Sequence, residues 1–551
     1  MKSSHARAAT LLWALAVSLV YAQPNEKVQL QSSNLPILII DTHGIEIPDT
    51  PRIRANLSII ANKKNARNNI GDAPSDYDGN IDIELRGATS AAFPKKPYRF
   101  ETVDAAGDNF NVSLLGMPAE NDWILHNPYS DKSLMRNVLA YKLAADLGAW
   151  ASRTRLCELV LNGEYAGVYV LVEKIKRDKN RVDIAPLEAD DITGEDLTGG
   201  YIVKIDRLGG EQIDYWDTPY GSRYHYHYPA PDRIQPEQRS YINNWLRDFE
   251  ALMSRANYSD PVVGYAQYID VQSFVDYFLV NEIGRNIDGY RLSSYLYKDR
   301  DRRDSRLKML VWDFNFSLGN ANYYGGQETA GWNIDLLTAP GFNDSFRPPF
   351  WWKKLRQDKR FMLRAALRWQ AMRAGAWHAD KLSSYIDSLA LELNEAQARN
   401  FLRWPILGQE IEPNAFVGQS YRQEIDYLKS WLSSRAQWMD QEFFKIMAAA
   451  DSSDFSFAPQ QSFLYASYPN PFVQESTIRY DLSQPIDVEM ALFNALGQEI
   501  KTLVNAQQGA GAYAITWDGT TSYGIPAASG VYHVRMRAGA YTKAVKLLLI
   551  R

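Results

Sequence analysis

The spacing of apolar and polar residues divides the chain into a β-rich first part, a helical middle and a β-rich end. Ile81-Asp-Ile-Glu-Leu-Arg86 alternates apolar and polar positions, as a half-buried strand does. Two apolar runs flank Asn162-Gly163, a dipeptide that favours a tight hairpin turn. Between these strands, apolar residues at helical spacing predict a helix over residues 131–147, with Asp131 as its N-cap.

From about residue 236 the pattern becomes helical, first to residue 283 and again over residues 350–446. A short strand pair, residues 295–297 and 309–311, separates the two helical stretches. A β-rich part followed by a helical part predicts an α+β domain in two lobes. We expect this domain to cover residues 23–447.

Near residue 450 the pattern changes again. Residues 448–465 are rich in Ala, Asp, Ser, Pro and Gln and are expected to form a linker. Beyond the linker, short alternating strands are separated by turns every eight to twelve residues, at 476–480, 488–493, 513–517, 531–536 and 543–550. Residues 466–551 are therefore expected to form a small all-β sandwich.

The N-terminus has the pattern of an export signal. Lys2, His5 and Arg7 precede an apolar run over residues 8–20, and small residues around Ala22 suit cleavage before Gln23. The run is too short to span a bilayer comfortably, and no other stretch reaches that length. We therefore expect residues 1–22 to be a cleaved signal peptide and the remaining protein not to be transmembrane.

Composition narrows the possible partners. The 551 residues carry a net charge of −5, so no basic field for nucleic acid is expected. Cys157 is the only cysteine, which excludes an intramolecular disulfide, and its strand-like surroundings predict a buried thiol. Aromatic residues make up 13% of the chain, which suits either a thick core or a surface that stacks on ligands.

The last 85 or so residues carry a series of short motifs in a fixed order. These are Tyr468-Pro-Asn-Pro-Phe472, Ile478-Arg-Tyr-Asp-Leu482, Asn494-Ala-Leu-Gly-Gln-Glu499, Trp517-Asp-Gly519 and Ser529-Gly-Val-Tyr532. This segment resembles the FlgD-type immunoglobulin-like module and the C-terminal sorting domain of type IX secretion cargo. The resemblance implies recognition by a type IX-like export machinery and a secreted or cell-surface location. A purely cohesive sandwich is the alternative.

Two carboxylates in the middle of the chain have a spacing that suits phosphoryl transfer. Asp288 lies on a turn before a strand, and Asp313 follows a strand 25 positions later. Transfer of an anionic group requires one carboxylate to steer the attacking hydroxyl and another to hold a metal on the phosphates. Taken alone the pair is weak, because aspartates at such positions commonly form turns and caps.

The surrounding motifs make the pair more specific. In order they are Leu85-Arg-Gly-Ala-Thr-Ser90, Pro94-Lys-Lys-Pro-Tyr98, Asp131-Lys-Ser-Leu-Met-Arg-Asn137, Asn162-Gly-Glu-Tyr-Ala-Gly-Val-Tyr169, Glu173-Lys174, Gly200-Tyr-Ile-Val-Lys204, Asn286-Ile-Asp-Gly-Tyr290 and Trp312-Asp313. Together they resemble the CotH family of spore-coat-type atypical kinases. The resemblance implies a two-lobed, protein-kinase-like fold and transfer of phosphate from ATP to serines of other proteins, with Mg²⁺ or Mn²⁺. It makes Asp288 the catalytic residue and Asp313 the metal ligand.

Candidate nucleotide-binding residues are Lys96, Arg86, Glu173 and Lys174. Alternation along a strand starting at Lys95 would turn Lys96 toward the cleft and Lys95 outward. Lys174 and Lys204 are alternatives to Lys96 because they also lie on predicted strands. Arg86 would belong to a turn that faces the phosphates.

Two departures from ordinary kinases leave an alternative open. Residues 291–295, Arg-Leu-Ser-Ser-Tyr, lack the Asn that usually binds a second metal ion, and the helix predicted at 131–147 contains no Glu for a Lys–Glu pair. Asp131 or Glu173 would have to replace that Glu. The chain could therefore be a catalytically inactive surface scaffold or adhesin, or a glycan-binding protein.

Other chemistries have less support. The sequence contains no G-x-S-x-G, H-E-x-x-H or Walker A motif. His225 and His227 would share a strand face and could bind zinc, but a third ligand is not evident.

Overall fold

The computed structural model describes residues 28–63, 66–87, 90–207, 214–261, 263–450, 462–465, 467, 470–483, 485–509 and 511–551. The predicted signal peptide and most of the predicted linker lie outside these residues. The described chain combines helices and sheets and ends in an all-β region, which confirms the α+β expectation at that level.

A closed barrel forms the first structural layer. Its strands are β2 (Ile37–Asp41), β3 (Ile53–Ile60), β5 (Tyr77–Leu85), β6 (Tyr98–Val103), β7 (Asp122–His126), β9 (Glu164–Glu173) and β8 (Thr154–Leu161), in that order around the barrel. The strands β1 (Ser32–Ser33) and β4 (Asn68–Asn69) pair beside it. The parallel pair β2–β8 closes the barrel, a contact that no local pattern in the sequence indicates.

Alternating residues of these strands fill the barrel interior, among them Phe100, Trp123 and Tyr169. Cys157 is in the same core and fully buried, as predicted. The turn between β8 and β9 is Asn162-Gly163, with φ of 51° and 81°, which confirms the hairpin.

Next to the barrel lies an antiparallel sheet in the order β11 (Tyr215–Asp217), β12 (Arg223–Tyr228), β10 (Tyr201–Ile205), β13 (Ser294–Lys298) and β14 (Lys308–Leu310). Tyr201 and Val203 on one face belong to the main core, whereas Ile202 and Tyr295 on the other face join a smaller cluster with Leu310. The sheet thus separates two packed layers.

Most of the helices join the main core on one face of this sheet. The helices are α1 (Arg136–Asp146), α2 (Pro236–Ser254), α3 (Val271–Gly284), α4 (Asp301–Asp304), α5 (Asn333–Leu337), α6 (Phe350–Gln357), α7 (Lys359–Ala374), α8 (Ala379–Glu392), α9 (Asn394–Arg403) and α10 (Tyr421–Ala448). One of them, α9, contacts β9 of the barrel. Helix α3 is buried along almost its whole length, between α1, α7 and α10. No helix in the described part of the chain is long and apolar enough to cross a membrane.

A buried ion pair joins α3 to the C-terminal helix α10. The carboxylate of Glu282 lies 3.0 Å from the Arg435 guanidinium, and both side chains are fully buried. Glu282 also accepts hydrogen bonds from the backbone N–H groups of Asn333 and Ile334, at 2.7 and 3.0 Å, and from the Tyr290 hydroxyl at 2.9 Å. The pair is therefore fully hydrogen-bonded, which is the condition for a buried charge to be tolerated.

The C-terminal region is a sandwich of two antiparallel sheets. One contains β15 (Phe463–Leu464), β16 (Ser476–Leu482) and β19 (Gly511–Trp517), and the other β18 (Glu499–Gln508), β17 (Ile486–Asn494), β20 (Gly530–Ala538) and β21 (Tyr541–Leu549). Trp517 is fully buried in the core between them, against Phe472 and Tyr532. Strand β18 was not among the predicted strands.

Two boundaries differ from the prediction. Helix α1 begins at Arg136 rather than at residue 131, because residues 131–135 form a separate turn in which Asp131 accepts hydrogen bonds from the backbone of Ser133 and Arg136. Strand β6 begins at Tyr98, so Lys95 and Lys96 lie in the loop before it.

We predict that Arg435→Met destabilises the protein by about 3–5 kcal/mol, because it leaves the Glu282 carboxylate buried without its cation. Denaturant unfolding followed by circular dichroism measures the free energy of unfolding. The double variant Glu282→Gln/Arg435→Met should lose clearly less than the sum of the two single losses.

Arg422→Met is the matched control on the same helix. Its partner is Asp426, and the side chain is 80% exposed, so its loss should leave the free energy of unfolding almost unchanged. Equal effects of the two arginine substitutions would contradict the importance of the buried pair.

Candidate active site

Three aspartates lie at the same edge of the five-stranded sheet that contains β10, β13 and β14. Asp206 follows the last residue of β10, Asp288 lies in the loop before β13, and Asp313 lies shortly after β14. Because β10 and β14 both run antiparallel to β13, the ends of β10 and β14 and the beginning of β13 meet on one side. The topology therefore brings together carboxylates that are far apart in sequence.

Helix α1 holds the turn that carries Asp313. The backbone N–H of Phe314 donates to the Asn137 side-chain oxygen at 2.7 Å, and that of Asp313 lies 3.3 Å from the Tyr141 hydroxyl. Asp313 has φ of 58°, a left-handed conformation that is unfavourable for a residue other than glycine and typical of functional sites. The two contacts from α1 keep the turn in this conformation.

The Asn137 side chain is oriented by His126 at the end of β7. Burial, and to a smaller extent the positive charge of Arg86, lowers the pKa of His126 to about 4, so the ring is neutral near pH 7. Its Nε2 lies 3.2 Å from the Asn137 amide nitrogen and can accept that hydrogen bond. The Asn137 oxygen is thereby turned toward the Asp313 turn.

Arg291 positions Asp288. Its guanidinium lies 2.9 Å from the Asp288 carboxylate and 2.8 Å from that of Asp344, and its side chain is only 1% exposed. The loop around Asp288 contains three residues with positive φ, Arg285, Tyr290 and Ser293. The loop conformation is fixed from several sides, because Arg285 donates to the carbonyl groups of Gly325, Ala330 and Gly331.

The electrostatics of the site favour protonated carboxyl groups. Burial raises the pKa of Asp313 to about 6; Arg86 opposes this shift, and Asp288 and Asp206 add to it. Burial also raises the pKa of Asp288, against the effect of Arg291 and Arg207. The three aspartates therefore lie close enough to repel one another, and a cation between them would relieve this repulsion.

Arg86 is the predicted nucleotide-binding residue that lies at this site. Its guanidinium carbon is 5.9 Å from the centre of the Trp312 ring, next to Asp313, and it acts electrostatically on Asp313. The rings of Tyr141 and Tyr295 lie 6.1 and 6.3 Å from that of Trp312. The Arg86 guanidinium thus lies against Trp312, whose ring belongs to an aromatic cluster with Tyr141 and Tyr295.

The outward orientation expected for Lys95 is wrong. Lys95 is 1% exposed, and its ammonium donates to the Val168 carbonyl at 2.5 Å and to the Asn400 side-chain oxygen at 2.9 Å. Lys96 is half-buried and donates to the Ala91 carbonyl at 2.8 Å. Both lysines precede strand β6, so strand alternation does not apply to them.

Glu173 and Lys174 are engaged in ion pairs. Fully buried Glu173 binds Arg153 at 2.8 Å and Arg181 at 3.1 Å, and Lys174 lies 3.5 Å from Asp122. Glu173 is therefore paired with arginines at the end of β9 rather than with a lysine. Asp131 is likewise paired, with buried Arg136 at 2.5 Å.

The remaining metal candidates have other partners. His225 and His227 each place Nε2 near a backbone carbonyl, that of Asp206 at 3.0 Å and that of Ile175 at 2.9 Å. Ser294, in the stretch that lacks the usual Asn, is buried with its hydroxyl against Tyr277. Across the described ranges, no three His, Cys, Asp or Glu side chains are grouped closely enough to hold a metal ion by themselves.

Sequence reasoning missed Asp206, Arg291 and Asn137 as parts of the site. Asp206 ends the apolar strand of β10, and an aspartate directly after such a strand is the same signal that identified Asp313. Arg291 and Asn137 act on the aspartates through contacts between elements, and their spacing in the sequence contains no sign of this.

Comparison with known protein families agrees with this arrangement. The model of the family described as CotH kinase protein matches residues 83–439, and that of the FlgD Ig-like domain matches residues 472–541. The first match covers well over half of the chain. The protein therefore belongs to the CotH kinase protein family and carries a C-terminal FlgD-type immunoglobulin-like domain.

No curated protein matches the chain. Among solved structures, dimeric latent PorU of Porphyromonas gingivalis is 18% identical with a TM-score of 0.15, over 17% of this chain and 10% of that one. PorZ of the same organism, described as a surface component of the type-IX secretion system, is 19% identical with a TM-score of 0.13, over 17% of this chain and 12% of PorZ. The DNA glycosylase AlkC of Pseudomonas fluorescens is 11% identical with a TM-score of 0.14, over 40% of this chain and 59% of AlkC. The chain thus spans about a tenth of the length of the Porphyromonas proteins.

We predict that Asp313→Asn stabilises the protein increasingly as pH rises from about 4 to above 6. The folded state holds the Asp313 proton more tightly than the unfolded chain, whose aspartate pKa is near 4. The stability contributed by the protonated carboxyl is therefore complete below pH 4 and lost as pH rises through 6. The neutral amide does not lose it, so the variant should gain up to about 3 kcal/mol over wild type at pH 7.5.

Urea unfolding of both proteins at pH 4.5 and pH 7.5 measures this difference. Asp387→Asn, which removes an exposed salt bridge with Lys429, should shift the free energy by less than about 0.5 kcal/mol at either pH. A constant difference between Asp313→Asn and wild type at the two pH values would show that Asp313 is not in a proton-favouring environment.

Proposed function

We propose that this protein is an exported atypical protein kinase that transfers the γ-phosphoryl group of ATP to serine hydroxyls of other proteins. The observation that carries the proposal is the convergence of Asp288 and Asp313 at one sheet edge, each held in a strained backbone segment by contacts from other elements. Strain that is maintained in this way is typical of catalytic positions. Membership of the CotH kinase protein family supports the same reaction class.

In the proposed reaction, the hydroxyl oxygen of the acceptor serine forms a bond to the γ-phosphorus, and Asp288 accepts the proton of that hydroxyl. The bond between that phosphorus and the β,γ-bridging oxygen breaks, and ADP leaves with its electron pair. The raised pKa of Asp288 makes it a better proton acceptor than an ordinary aspartate. Arg291 keeps the carboxylate oriented and limits that rise.

The residues at the site fit a divalent metal. Carboxylate oxygens are the ligands that Mg²⁺ and Mn²⁺ prefer, and the mutual repulsion of the aspartates is what a bound cation would relieve. Asp313 would hold the ion, with phosphate oxygens and water as further ligands, because Mg²⁺ commonly keeps several waters. When bound, the metal neutralises charge on the transferred group.

The two ends of the chain give the proposal a location. The predicted signal peptide and the C-terminal immunoglobulin-like domain support export and then recognition by a type IX-like machinery, which leads to a secreted or cell-surface enzyme. Outside the cell ATP is scarce, so the kinase would act where nucleotide is released or on cargo during transit.

An inactive scaffold or adhesin is the second candidate function. Two observations favour it. Glu173 is paired with two arginines rather than with a lysine, and the Ser294 hydroxyl lies against Tyr277 in the core, so neither residue makes the contact that an ordinary kinase has at that place. Glycan binding has less support, because many of the tryptophans are fully buried, including Trp123, Trp351, Trp352, Trp369, Trp377 and Trp517.

We predict that the purified mature protein transfers label from γ-labelled ATP to serines of itself or of a serine-containing peptide library. Asp288→Asn should lower the rate at least about a hundredfold, because the proton acceptor is lost. Asp313→Ala should abolish transfer at any Mg²⁺ or Mn²⁺ concentration tested. Phosphoserine identification by mass spectrometry confirms the acceptor residue.

Asp217→Asn serves as the control, since Asp217 lies on the same sheet but is exposed and paired with Arg223. It should retain wild-type transfer. Equal labelling by wild type and both active-site variants would refute the kinase proposal. A wild-type protein that neither transfers phosphate nor gains thermal stability from ATP and Mg²⁺ would instead favour the scaffold.

A further inference from the structure

The lysines near the site differ in where their partners lie. Lys95 is buried against the Val168 carbonyl and Asn400, Lys96 donates to the Ala91 carbonyl of its own loop, and Lys174 is paired with Asp122. Lys204 instead forms an ion pair with Asp206, at 3.4 Å, and Asp206 is one of the three aspartates at the site.

Lys204 lies directly on the sheet that carries the aspartates. In the strand register, Lys204 lies opposite Tyr295 on β13, and Tyr295 lies opposite Leu310 on β14. The Tyr295 ring in turn lies 6.3 Å from that of Trp312, the residue before Asp313. The Lys204 side chain is 27% exposed, so its ammonium can reach a ligand without unfolding any part of the sheet.

Arg86 approaches the same aromatic pair from the barrel. Its guanidinium lies over Trp312 and forms no salt bridge with any described residue. Arg86 acts electrostatically on both Asp313 and Lys204. Two cations, Arg86 and the Asp206-paired Lys204, therefore lie near the Tyr295–Trp312 pair beside the acidic edge of the sheet.

We propose that Lys204 and Arg86 together form the polyphosphate-binding subsite, with Lys204 rather than Lys96 as the lysine that contacts the phosphates. The inference rests on the proposed function, since it assigns the triphosphate of the nucleotide to this pair. Two cations of different shape suit such a ligand: the planar guanidinium can bind two oxygens at once, and the ammonium acts as a mobile point charge. Asp206 keeps the ammonium at the edge where Asp288 and Asp313 lie.

The test is ligand binding without turnover. Isothermal titration of wild type with a non-hydrolysable ATP analogue plus Mg²⁺, with inorganic tripolyphosphate and with adenosine separates the phosphate contribution from that of the base. Lys204→Met should weaken binding of the analogue and of tripolyphosphate by about tenfold to a hundredfold, because one charge-assisted contact is lost. Adenosine binding should not change.

Lys308→Met is the matched control: Lys308 lies on β14 of the same sheet, is 29% exposed and is paired with Asp304 at 3.0 Å. It should bind all three ligands like wild type, and circular dichroism should show that all variants are folded. Lys96→Met addresses the competing assignment. Loss of tripolyphosphate binding in Lys96→Met with wild-type binding in Lys204→Met would overturn the inference.

Failure of the inference and failure of the proposed function give different results. If wild type binds the analogue and transfers phosphate, but Lys204→Met binds tripolyphosphate equally well, the subsite assignment alone is wrong. If wild type binds neither the analogue nor tripolyphosphate, both the subsite and the kinase proposal are wrong.

Discussion

The ion pair between Glu282 and Arg435 is the interaction on which the site depends most. It joins the end of α3, where the Asp288 loop begins, to α10, which comes some 150 positions later in the chain. The same carboxylate binds the first residues of α5 and the Tyr290 hydroxyl within the loop. Because a buried charge is tolerated only when it is fully hydrogen-bonded, these partners have little freedom to move apart. The Asp288 loop is therefore held in place by the same contacts.

Support for Asp313 comes from the opposite side. Helix α1 packs between the outer face of the barrel and the central helices, and it presents Asn137 and Tyr141 to the Asp313 turn. The two aspartates are thus held by different parts of the fold, one from α10 through Glu282 and one from the barrel through His126 and α1. A relative movement of these parts would change the separation of the two carboxylates and so the geometry of the candidate site.

Several elements were predictable because their signals are local. The Asn162-Gly163 hairpin, the helical stretches α2 and α3 and the strands β13 and β14 follow from turn chemistry and periodicity, and each was found close to its predicted place. The prediction that Lys95 faces outward failed because it relied on a local signal outside its range. Alternation predicts direction only within a strand, and the strand begins at Tyr98, so the buried site that accepts Lys95 is formed by Asn400 from a distant helix.

The sequence by itself determined the succession of β-rich, helical and β-rich regions, the burial of Cys157 and the choice of Asp288 and Asp313, since these follow from residue type, spacing and motif order. Only the tertiary structure decided that β2 closes the barrel against β8, that Asp206 joins the two aspartates, and that Arg291 and Asn137 hold them. Such contacts join residues far apart in the chain. Their free energy depends on burial and on the positions of partners, neither of which a local pattern specifies.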